Sequence, residues 1–381
     1  MRDDHSPQEH GGGIRSRSEA AVVKILVVDD SAFMRRSLTK LIESDPDLRV
    51  VDTARDGEDA VEKAKRLRPD LITLDVEMPK MNGLDALRKI MVDCPTTVLM
   101  VSSLTTKGSR EALKALRLGA ADFIAKDASF VSLNLDSIRD ELIAKIKALG
   151  PLGPGVKKHE AAAPRPAASG SPPEFEPDRF DLLVIGSSTG GPPVVETIAG
   201  SLAPDLACPV VLAQHMPAVF TKSLAERLNA KCAVSVYEAE DGMPLYPGTM
   251  YIAPGGQQTR VRASIAGGMS LRVNDTPADA LYKPSVNVLF ESAAATTGGK
   301  TLGVVLTGMG DDGAAGSAQI VEKGGVVLTQ SADTCVVYGM PKAVDDAGCS
   351  QARLSPQQLC RAIGALRATD SGTPAANRKA G

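Results

Sequence analysis

Short apolar runs alternate with helical patterns along most of this 381-residue chain, and this alternation is the strongest constraint on its fold. In the first half, the apolar runs that predict strands are residues 24–28, 49–54, 71–74, 97–101 and 122–125. Helical patterns fill the intervals and also cover residues 135–149. Because each helix must cross back over the sheet before the next strand begins, neighbouring strands run parallel. The first half is therefore predicted to form a doubly wound, five-stranded parallel sheet.

The second half repeats the alternation and predicts a second doubly wound, mostly parallel α/β domain. Its predicted strands are residues 181–185, 209–213, 249–253, 302–306 and 326–329. Its predicted helices lie near residues 193–202, 220–230, 285–297, 313–323 and 355–367. Three further apolar segments favour an antiparallel edge or hairpin, at residues 234–236, 260–263 and 270–273.

The composition changes between the two halves, where Pro, Ala, Gly and Ser dominate and apolar periodicity is lost. Such a composition is typical of a linker. The predicted segments are a disordered leader at 1–21, a first domain at 22–149, a flexible linker at 150–178, a second domain at 179–368 and a disordered tail at 369–381.

Charge and cysteine pattern argue against several classes of protein. A net charge of −3 disfavours nucleic acid as a partner, and no apolar run is long enough to insert into a membrane. Residues 1–20 lack the apolar core of a signal peptide, so we expect a cytoplasmic protein. The six cysteines form no CxxC pair, which indicates reduced thiols rather than disulfides or a metal centre.

Polar residues follow the predicted strands of the first domain at the points where the strands end. Asp29 and Asp30 follow the first strand, Asp75 the third, Ser102 the fourth and Lys126 the fifth. In such sheets, ligands collect at the carboxyl ends of the strands. Carboxylates beside an ammonium group suit a magnesium ion and a phosphoryl group carried by one carboxylate. Each acid taken singly is also explained as a solvated loop residue or a helix cap.

This edge resembles that of the receiver domain of two-component response regulators, which has a flavodoxin-like sheet. The resemblance implies that Asp75 accepts a phosphoryl group. The implied Mg²⁺ ligands are Asp29, Asp30, Asp75 and the backbone carbonyl of Glu77. The implied switch and phosphate-contacting residues are Ser102, Phe123 and Lys126. Asp127 departs from the family, because a proline is usual at this position, and leaves the geometry of that peptide open.

The strand-to-helix turn at residues 186–191 has the spacing of a nucleophile elbow. Its Gly186-x-Ser188-x-Gly190 pattern follows an apolar strand and precedes a helix, and in that context the turn lifts its serine above the sheet edge. The turn alone also fits a phosphate cradle at a helix N-terminus, or tight packing. A dinucleotide site expects a carboxylate about 20 residues on, whereas the next strand ends in Gln214-His215-Met216-Pro217.

His215 is the only one of the four histidines that falls within the predicted second domain. If Ser188 is a nucleophile, His215 is therefore the base available to it. Asp312 follows a third strand and would orient the imidazole in a Ser-His-Asp triad, although it could equally cap the next helix. The backbone N–H groups of Thr189 and Met309 are the candidates for an oxyanion hole.

Five motifs of the second domain resemble the catalytic domain of chemotaxis protein-glutamate methylesterases, the CheB family. They are Ile185-Gly186-Ser187-Ser188-Thr189-Gly190-Gly191, Gln214-His215-Met216-Pro217, Ile252-Ala253-Pro254-Gly255-Gly256, Pro284-Ser285-Val286 and Thr307-Gly308-Met309-Gly310-x-Asp312-Gly313. The resemblance implies Ser188 as nucleophile, His215 as base and Asp312, rather than Asp311, as the orienting acid. The chain departs from the family at Gln257-Gln258, where a histidine is common, and at Asn287, where an acidic residue is common.

The two resemblances together imply a phosphorylation-activated esterase. The family hydrolyses glutamate γ-methyl esters on methyl-accepting chemotaxis receptors, releases methanol and often deamidates receptor glutamines. The histidine kinase CheA would phosphorylate Asp75 with Mg²⁺ bound and so shift the receiver domain off the catalytic edge, whereas ester hydrolysis itself needs no cofactor. Two alternatives stay open: a non-catalytic signalling module gated by the receiver, and the same esterase in a pathway other than chemotaxis.

Overall fold

The computed structural model describes residues 22–126, 135–152, 173–265 and 267–367 of the chain. The predicted leader at 1–21, the predicted tail at 369–381, Asp127 and most of the predicted linker lie outside these residues. The described residues form two α/β units, one on each side of the linker.

The first unit is a five-stranded sheet with helices on both faces. Its strands are β1 (Val23–Val28), β2 (Leu48–Ala54), β3 (Leu71–Asp75), β4 (Thr97–Ser103) and β5 (Asp122–Lys126). Its helices are α1 (Ala32–Ile42), α2 (Gly57–Leu67), α3 (Gly83–Asp93), α4 (Thr106–Leu118) and α5 (Leu135–Leu149). All strands pair in parallel in the order β2-β1-β3-β4-β5, which confirms the predicted flavodoxin-like sheet.

Helices α1 to α4 each begin at a residue whose side-chain oxygen accepts a hydrogen bond from a backbone N–H of the first turn. These caps are Ser31, Asp56, Asn82 and Thr105. The first N–H groups of a helix have no partner within the helix, so the caps define where each helix starts after its strand. The loops that follow the strands are short as a result, and their polar residues remain at one edge of the sheet.

The second unit is built on a seven-stranded parallel sheet. Its strands are β6 (Leu182–Ser187), β7 (Val210–Gln214), β8 (Ser235–Glu238), β9 (Thr249–Ile252), β10 (Gln258–Ala263), β11 (Met269–Asn274), β12 (Thr301–Val305), β13 (Val326–Gln330) and β14 (Ala352–Leu354). Its helices are α6 (Gly191–Ser201), α7 (Ala218–Lys231), α8 (Val286–Thr297), α9 (Ala314–Glu322), α10 (Met340–Asp346) and α11 (Pro356–Gly364). The sheet order is β14-β13-β12-β6-β7-β9-β8, and β10 and β11 form a separate antiparallel hairpin. Across both units, no described helix has the length and apolarity that crossing a membrane requires.

Three parts of the second unit differ from the sequence predictions. The segment 234–236 is not an antiparallel edge, because β8 pairs in parallel with β9. Helix α7 causes this, since it carries the chain back across the sheet between β7 and β8. Strand β14 and helix α10 are unpredicted elements. They have three and seven residues, too few to show a hydrophobic period.

Helix α4 and strand β5 of the first unit pack against α7 of the second. The rings of Phe123 and Phe220 stack with centroids 4.2 Å apart and planes 17° from parallel. Nearby, the hydroxyl oxygens of Ser109 and Ser223 form a buried hydrogen bond of 2.6 Å. Two ion pairs also join the units, Arg110–Glu226 at 3.1 Å and Arg117–Glu196 at 3.7 Å. The contact thus has an aromatic and hydroxyl centre with charged groups at its more exposed positions.

Candidate active site and receiver pocket

The carboxyl ends of three adjacent strands bring Ser188, His215 and Asp312 to one edge of the large sheet. Ser188 directly follows β6, His215 directly follows β7, and Asp312 lies in the loop after β12. Strand β6 is the neighbour of both β12 and β7 in the sheet. The backbone N–H of Ser188 donates to Thr307 O at 3.1 Å, and that of His215 donates to Ser187 O at 3.0 Å. The sheet ladders therefore continue into the loops that carry these residues.

The imidazole of His215 is held by one nitrogen and unpaired at the other. Its Nε2 lies 2.8 Å from Oδ2 of Asp312, and the His215 side chain is 9% exposed. Its Nδ1 is buried and has no hydrogen-bond partner among the described residues. A carboxylate accepts only, so the hydrogen bond favours the tautomer with the proton on Nε2 and the lone pair on Nδ1. Within the described residues, the Ser188 hydroxyl forms no hydrogen bond.

The carboxylate of Asp312 is saturated with hydrogen bonds from the start of α8. Its Oδ2 accepts from Val286 N at 2.7 Å, and its Oδ1 accepts from Asn287 N and Ser285 Oγ, each at 2.9 Å. Burial would raise the pKa of Asp312, but the hydrogen bonds from His215 and from these backbone groups outweigh burial and lower it. The N-cap position of helix α9 is Gly313, and no side chain caps this end, so Asp312 does not cap the helix that follows it.

Tyr282, which the sequence prediction missed, and Gln258, predicted only as a departure from the family pattern, complete the surroundings of His215. The Tyr282 ring stacks on the imidazole, with centroids 4.2 Å apart and planes 6° from parallel. Gln258 holds this segment, because its Nε2 donates to Tyr282 O and its Oε1 accepts from Ser285 N, both at 2.8 Å. The departure from the family pattern at Gln258 drew attention to the position, whereas no local pattern marks Tyr282.

Asn287, the other departure from the family pattern, positions the loop of Asp312. Its Oδ1 accepts hydrogen bonds from Gly313 N at 2.9 Å and Gly316 N at 2.8 Å. An aspartate at this position could accept the same two bonds, because both substituents present a carbonyl-like oxygen. The asparagine therefore preserves the loop connection while it avoids a second carboxylate beside Asp312.

The turn around Ser188 depends on close backbone approach. Gly190 has φ +75°, and a Cβ there would lie 2.4 Å from the side chain of Val336. A Cβ on Gly308 would lie 2.7 Å from Cβ of Ser188, so only glycine allows the loop after β12 to approach the serine. Within the described residues, the backbone N–H groups of Thr189 and Met309 donate no hydrogen bond, whereas that of Ser188 is already used.

The acidic edge of the first unit gathers the predicted receiver residues. Ligand atoms of Asp29, Asp30 and Asp75 all lie within 4.8 Å of one another. Nζ of Lys126 lies 2.7 Å from Asp29 Oδ2 and 2.8 Å from Asp75 Oδ2. Burial raises the pKa of Asp75 to about 6, although Lys126 opposes the shift. Burial alone would lower the pKa of Lys126, but the carboxylates of Asp75 and Asp29 hold it above its ordinary value.

These three carboxylates fit a magnesium ion in ligand type and in charge. Oxygen ligands are those that Mg²⁺ prefers, and one ammonium group leaves most of their negative charge uncompensated. Glu77 lines an open cavity of about 590 Å³ together with Asp30, next to this edge. The Glu77 side chain itself points to Lys107, with Nζ–Oε1 at 2.8 Å. The Glu77 carboxylate is thus paired with Lys107. The predicted Mg²⁺ ligand is the backbone carbonyl of Glu77, which this pairing leaves unaffected.

The predicted switch residues face in different directions. The hydroxyl of Ser102 is buried and donates to Gly108 O at the start of α4, at 3.0 Å. Phe123 points away from the acidic edge and stacks on Phe220 of the second unit. Strand β5 therefore carries Lys126 at the acidic edge and Phe123 at the contact between the units.

The first unit covers the edge that carries His215. Asp122 at the start of β5 accepts a hydrogen bond from the Thr189 hydroxyl at 2.8 Å and pairs with Lys145 of α5 at 2.8 Å. A cavity of about 50 Å³ remains between the units, and its lining includes Asp122, Lys145 and His215. This volume is about that of one or two water molecules. A residue next to Ser188 is thus tied directly to the receiver-like unit.

The fold and the two sites together define a class of protein: a flavodoxin-like sheet with an acidic pocket, followed by an α/β unit of the kind that houses a Ser-His-Asp esterase site. Models of known families match both units. The CheB methylesterase model matches residues 183–363, and the response regulator receiver domain model matches residues 25–135.

Relatives match along nearly the whole chain. The protein-glutamate methylesterase/protein-glutamine glutaminase 1 of Oleidesulfovibrio alaskensis is 47% identical over 365 residues, covering 90% of this chain and 98% of the relative. The protein-glutamate methylesterase/protein-glutamine glutaminase of Geobacillus kaustophilus is 45% identical over 332 residues, covering 86% and 93%. The crystal structure of the Thermotoga maritima CheB methylesterase catalytic domain is 37% identical, with a TM-score of 0.47, and covers 49% of this chain and 98% of that domain.

The identity and coverage of the two relatives show that the chain belongs to the CheB methylesterase family, a family of ester hydrolases, and that it carries a response regulator receiver domain.

Proposed function

We propose that this chain is a phosphorylation-activated protein-glutamate methylesterase that hydrolyses glutamate γ-methyl esters on methyl-accepting chemotaxis receptors. The observation that carries the proposal is the His215 imidazole, fixed through Nε2 by Asp312 and unpaired at Nδ1, on the strand beside Ser188. The names of its relatives supply the ester and the amide as the two substrates. The proposed substrate lies on cytoplasmic receptor helices, and the proposed reaction is therefore cytoplasmic.

Acylation would begin at Ser188. Its Oγ attacks the γ-carbonyl carbon of the glutamyl ester, and the hydroxyl proton passes to Nδ1 of His215. Asp312 stabilises the imidazolium that forms, because its carboxylate faces the Nε2–H. The same proton then goes to the departing methoxide, so that methanol leaves and an acyl-enzyme remains. With a glutamine substrate, the leaving group would be ammonia.

Deacylation would return the enzyme to its starting state. Water attacks the acyl carbon while His215 Nδ1 takes its proton. His215 then passes that proton to the departing Ser188 Oγ, which restores the serine hydroxyl and frees the glutamate side chain as a carboxylic acid that ionises in water. The backbone N–H groups of Thr189 and Met309 are the proposed donors to the negative oxygen of both tetrahedral intermediates. This role suits them because, among the described residues, neither is engaged in a hydrogen bond.

The adjacent serine provides a matched comparison. Ser187 Oγ is buried without a hydrogen-bond partner among the described residues, and a Cβ on Gly191 would lie 1.9 Å from it. A substrate carbon could not reach that oxygen. Ser188 is partly exposed at the end of β6. The proposed nucleophile is therefore Ser188.

Activation would begin at Asp75. A carboxylate oxygen of Asp75 attacks the phosphorus of a phosphohistidine on the kinase CheA, and the histidine nitrogen leaves with the bonding electrons. Mg²⁺ held by Asp29, Asp30, Asp75 and the Glu77 carbonyl would neutralise charge on the phosphoryl oxygens. Lys126 would exchange its pairing with Asp75 for the phosphoryl group, which changes the charges around the end of β5.

The same strand would transmit the change to the esterase edge. Phe123 and Asp122 of β5 contact Phe220 and Thr189 of the second unit. A receptor helix is about 10 Å across with its side chains, and a cavity of about 50 Å³ cannot admit it. Separation of the two units at β5 would therefore be the activating step, and the closed arrangement would be the inactive state.

Methanol release from methylated receptor membranes tests the proposal, with and without acetyl phosphate and Mg²⁺. Release is expected to rise with the phosphodonor, to vanish in Ser188→Ala and to persist in the control Ser187→Ala. Methanol release that does not change with the phosphodonor would support the esterase activity and contradict activation by phosphorylation. A folded protein that releases no methanol from any receptor would instead favour a binding module.

A further inference from the structure

The hairpin of β10 and β11 carries three arginines that the chemistry described above does not use. In the hairpin register, Arg260 lies directly opposite Arg272, and Arg262 lies opposite Ser270. Like charges directly opposite each other in a sheet destabilise it. Only Arg272 has a carboxylate partner among the described residues, Asp241 at 3.2 Å, and this pair is about half exposed. The hairpin therefore presents excess positive charge.

The arginines share a face of the hairpin with Gln258. Side chains alternate along a strand, so Gln258, Arg260 and Arg262 point to the same side. The other side holds Val261 and Leu271, which are buried in the core. Gln258 is the residue whose side chain bonds to Tyr282 O and Ser285 N beside His215. The basic face thus begins at the active site and extends along the hairpin, with Arg260 about 7 Å and Arg262 about 13 Å along the strand.

Among the described residues, Arg272 is paired with Asp241, but no carboxylate neutralises Arg260 or Arg262. Arg260 donates to Asn274 Oδ1 and Arg262 to Ser270 Oγ, both at 3.3 Å, and both acceptors are uncharged. Asp275 and Asp279 lie in the loop that follows, and in the described part of the chain neither pairs with an arginine of the hairpin. In the same loop, Leu281 is 86% exposed immediately before Tyr282. An exposed apolar side chain therefore precedes Tyr282, whose backbone carbonyl is held by Gln258 of the basic face.

We propose that the Arg260, Arg262 and Arg272 face binds carboxylates of the protein segment that carries the target ester, and so selects acidic helices as substrates. The inference rests on the proposed function and deepens it. Every turnover of a glutamyl ester leaves a glutamate carboxylate, so a segment with several such sites becomes more acidic as the reaction proceeds. Arginine suits this partner, because its planar fork pairs with carboxylates in a bidentate manner. Exposed Leu281 would contact the apolar part of the helix.

Binding and turnover are measured separately on the full chain. The binding probe is a synthetic helix with glutamates along one face, compared with the same helix carrying glutamines. The Arg260→Glu/Arg262→Glu variant is expected to bind the glutamate helix about tenfold more weakly and the glutamine helix within about twofold of the parent chain. Arg260→Lys/Arg262→Lys keeps the charge but not the bidentate fork, so it should recover only part of the affinity. Salt at about 1 M should remove the difference between the parent chain and the glutamate variant.

The matched control is Arg361→Glu, on the exposed surface of α11. In methanol release from methylated receptor membranes, the hairpin reversal should raise KM about tenfold with kcat within about twofold, whereas Arg361→Glu should change neither. Urea unfolding of each variant checks the fold. If the glutamate variant does not fold, the lysine variant serves as the test. It should bind the glutamate helix more tightly than the glutamine helix, but more weakly than the parent chain does.

Three results would overturn the inference: an unchanged KM after the hairpin reversal, an equal effect in Arg361→Glu, or equal binding of the glutamate and glutamine helices. Tighter binding of a single-stranded DNA of the same charge would assign the face to nucleic acid instead. Failure of the proposed function would give a different set of results. Even the parent chain would then release no methanol, while the glutamate helix would still bind through the arginines.

Discussion

Asp75 and Asp312 are buried to nearly the same extent, yet their surroundings shift their pKa values in opposite directions. Asp75 is 5% exposed and Asp312 is 4% exposed. Burial dominates at Asp75 and raises its pKa to about 6, against the opposing effect of Lys126. Burial acts in the same direction at Asp312, but the hydrogen bonds from His215 and from the start of α8 lower the pKa overall. Equal burial thus leads to opposite preferences for the proton.

The two carboxylates differ in their partners. Asp75 lies in a pocket that lacks positive charge, whereas the hydrogen bonds of Asp312 are complete without a further ligand. The receiver pocket has three carboxylates and one ammonium group, so the ionised state is unfavourable until a cation binds. The Asp312 carboxylate has four hydrogen-bond donors and needs no cation. The first arrangement suits a site whose occupancy changes, and the second suits a site whose geometry must stay fixed.

The largest expected effect is that of Asp312→Asn on catalysis. The amide cannot hold the Nε2–H tautomer of His215, so kcat for methanol release is expected to fall by roughly 10⁴-fold. The exposed neighbour Asp311 provides the matched control, and Asp311→Asn should stay within about twofold of the parent. Similar losses in both variants would show that charge in the loop, and not orientation of the imidazole, is what matters.

Asp75→Asn should stabilise the receiver domain in Mg²⁺-free buffer at pH 8. Because the folded pKa lies above the unfolded value, the carboxyl group favours folding most below about pH 4, and this contribution is lost as pH rises through about 6. The asparagine does not titrate, so urea unfolding should show a gain of about 3 kcal/mol at pH 8 that shrinks towards pH 4. Magnesium should stabilise the parent and not the variant. A gain independent of pH would refute this account.

Urea unfolding of Asp312→Asn should show a change in stability of the opposite sign. The folded pKa of Asp312 is lowered, so its contribution to stability is present above the unfolded value of about 4 and is lost as pH falls through the folded value. Replacement by asparagine should therefore destabilise the second domain at neutral pH, with a smaller difference in acid. If Asp75→Asn and Asp312→Asn changed stability in the same direction, burial would be acting on the two carboxylates alike.

Thr189→Val tests the hydrogen bond that joins the two domains next to Ser188. The valine preserves shape and the backbone N–H but removes the hydroxyl that donates to Asp122. One hydrogen bond contributes about 1 kcal/mol, so methanol release without phosphodonor should rise about fivefold, with little change in its presence. Thr197→Val, on the exposed surface of α6, is the control. A fall in both conditions would instead assign the hydroxyl a role in the esterase itself.

Asn287→Asp should have the smallest effect. The carboxylate can accept from Gly313 N and Gly316 N as the amide does, so the loop should hold. The added negative charge near Asp312 should raise the Asp312 pKa slightly and move the acid limb of the kcat profile upward by less than about one pH unit. The kcat at neutral pH should stay within about threefold. Loss of activity at neutral pH would show that the amide contacts substrate.

The strand ends were predictable from sequence because each apolar run stops at a polar residue with recognisable chemistry. Asp29, Asp75, Ser188 and His215 all fall at such ends, and parallel strands bring them to common edges. Gln258 was visible only as a departure from a family pattern. Its hydrogen bonds to the segment before α8 became evident once the hairpin was placed.

Contacts between distant segments could not be predicted from local pattern. Tyr282 is an ordinary tyrosine in a loop. Its stacking on His215 depends on the path of the 66 residues between them, which periodicity does not describe. The contact of Thr189 with Asp122 crosses from one domain to the other, and neither residue has a sequence neighbour that signals it. The direction of β8 followed from the α7 crossover, a matter of topology rather than of strand composition.

The stacked rings of Phe123 and Phe220 have a consequence for solubility. Each ring is at most 5% exposed in this arrangement, and a phenylalanine offers roughly 150–250 Å² of surface. Any separation of the two domains transfers apolar surface of this kind to water, at about 25 cal/mol per Å². Separated chains are therefore more prone to self-association than closed ones, and the tendency grows with their concentration. An arrangement that keeps the two domains closed in most copies limits this hazard.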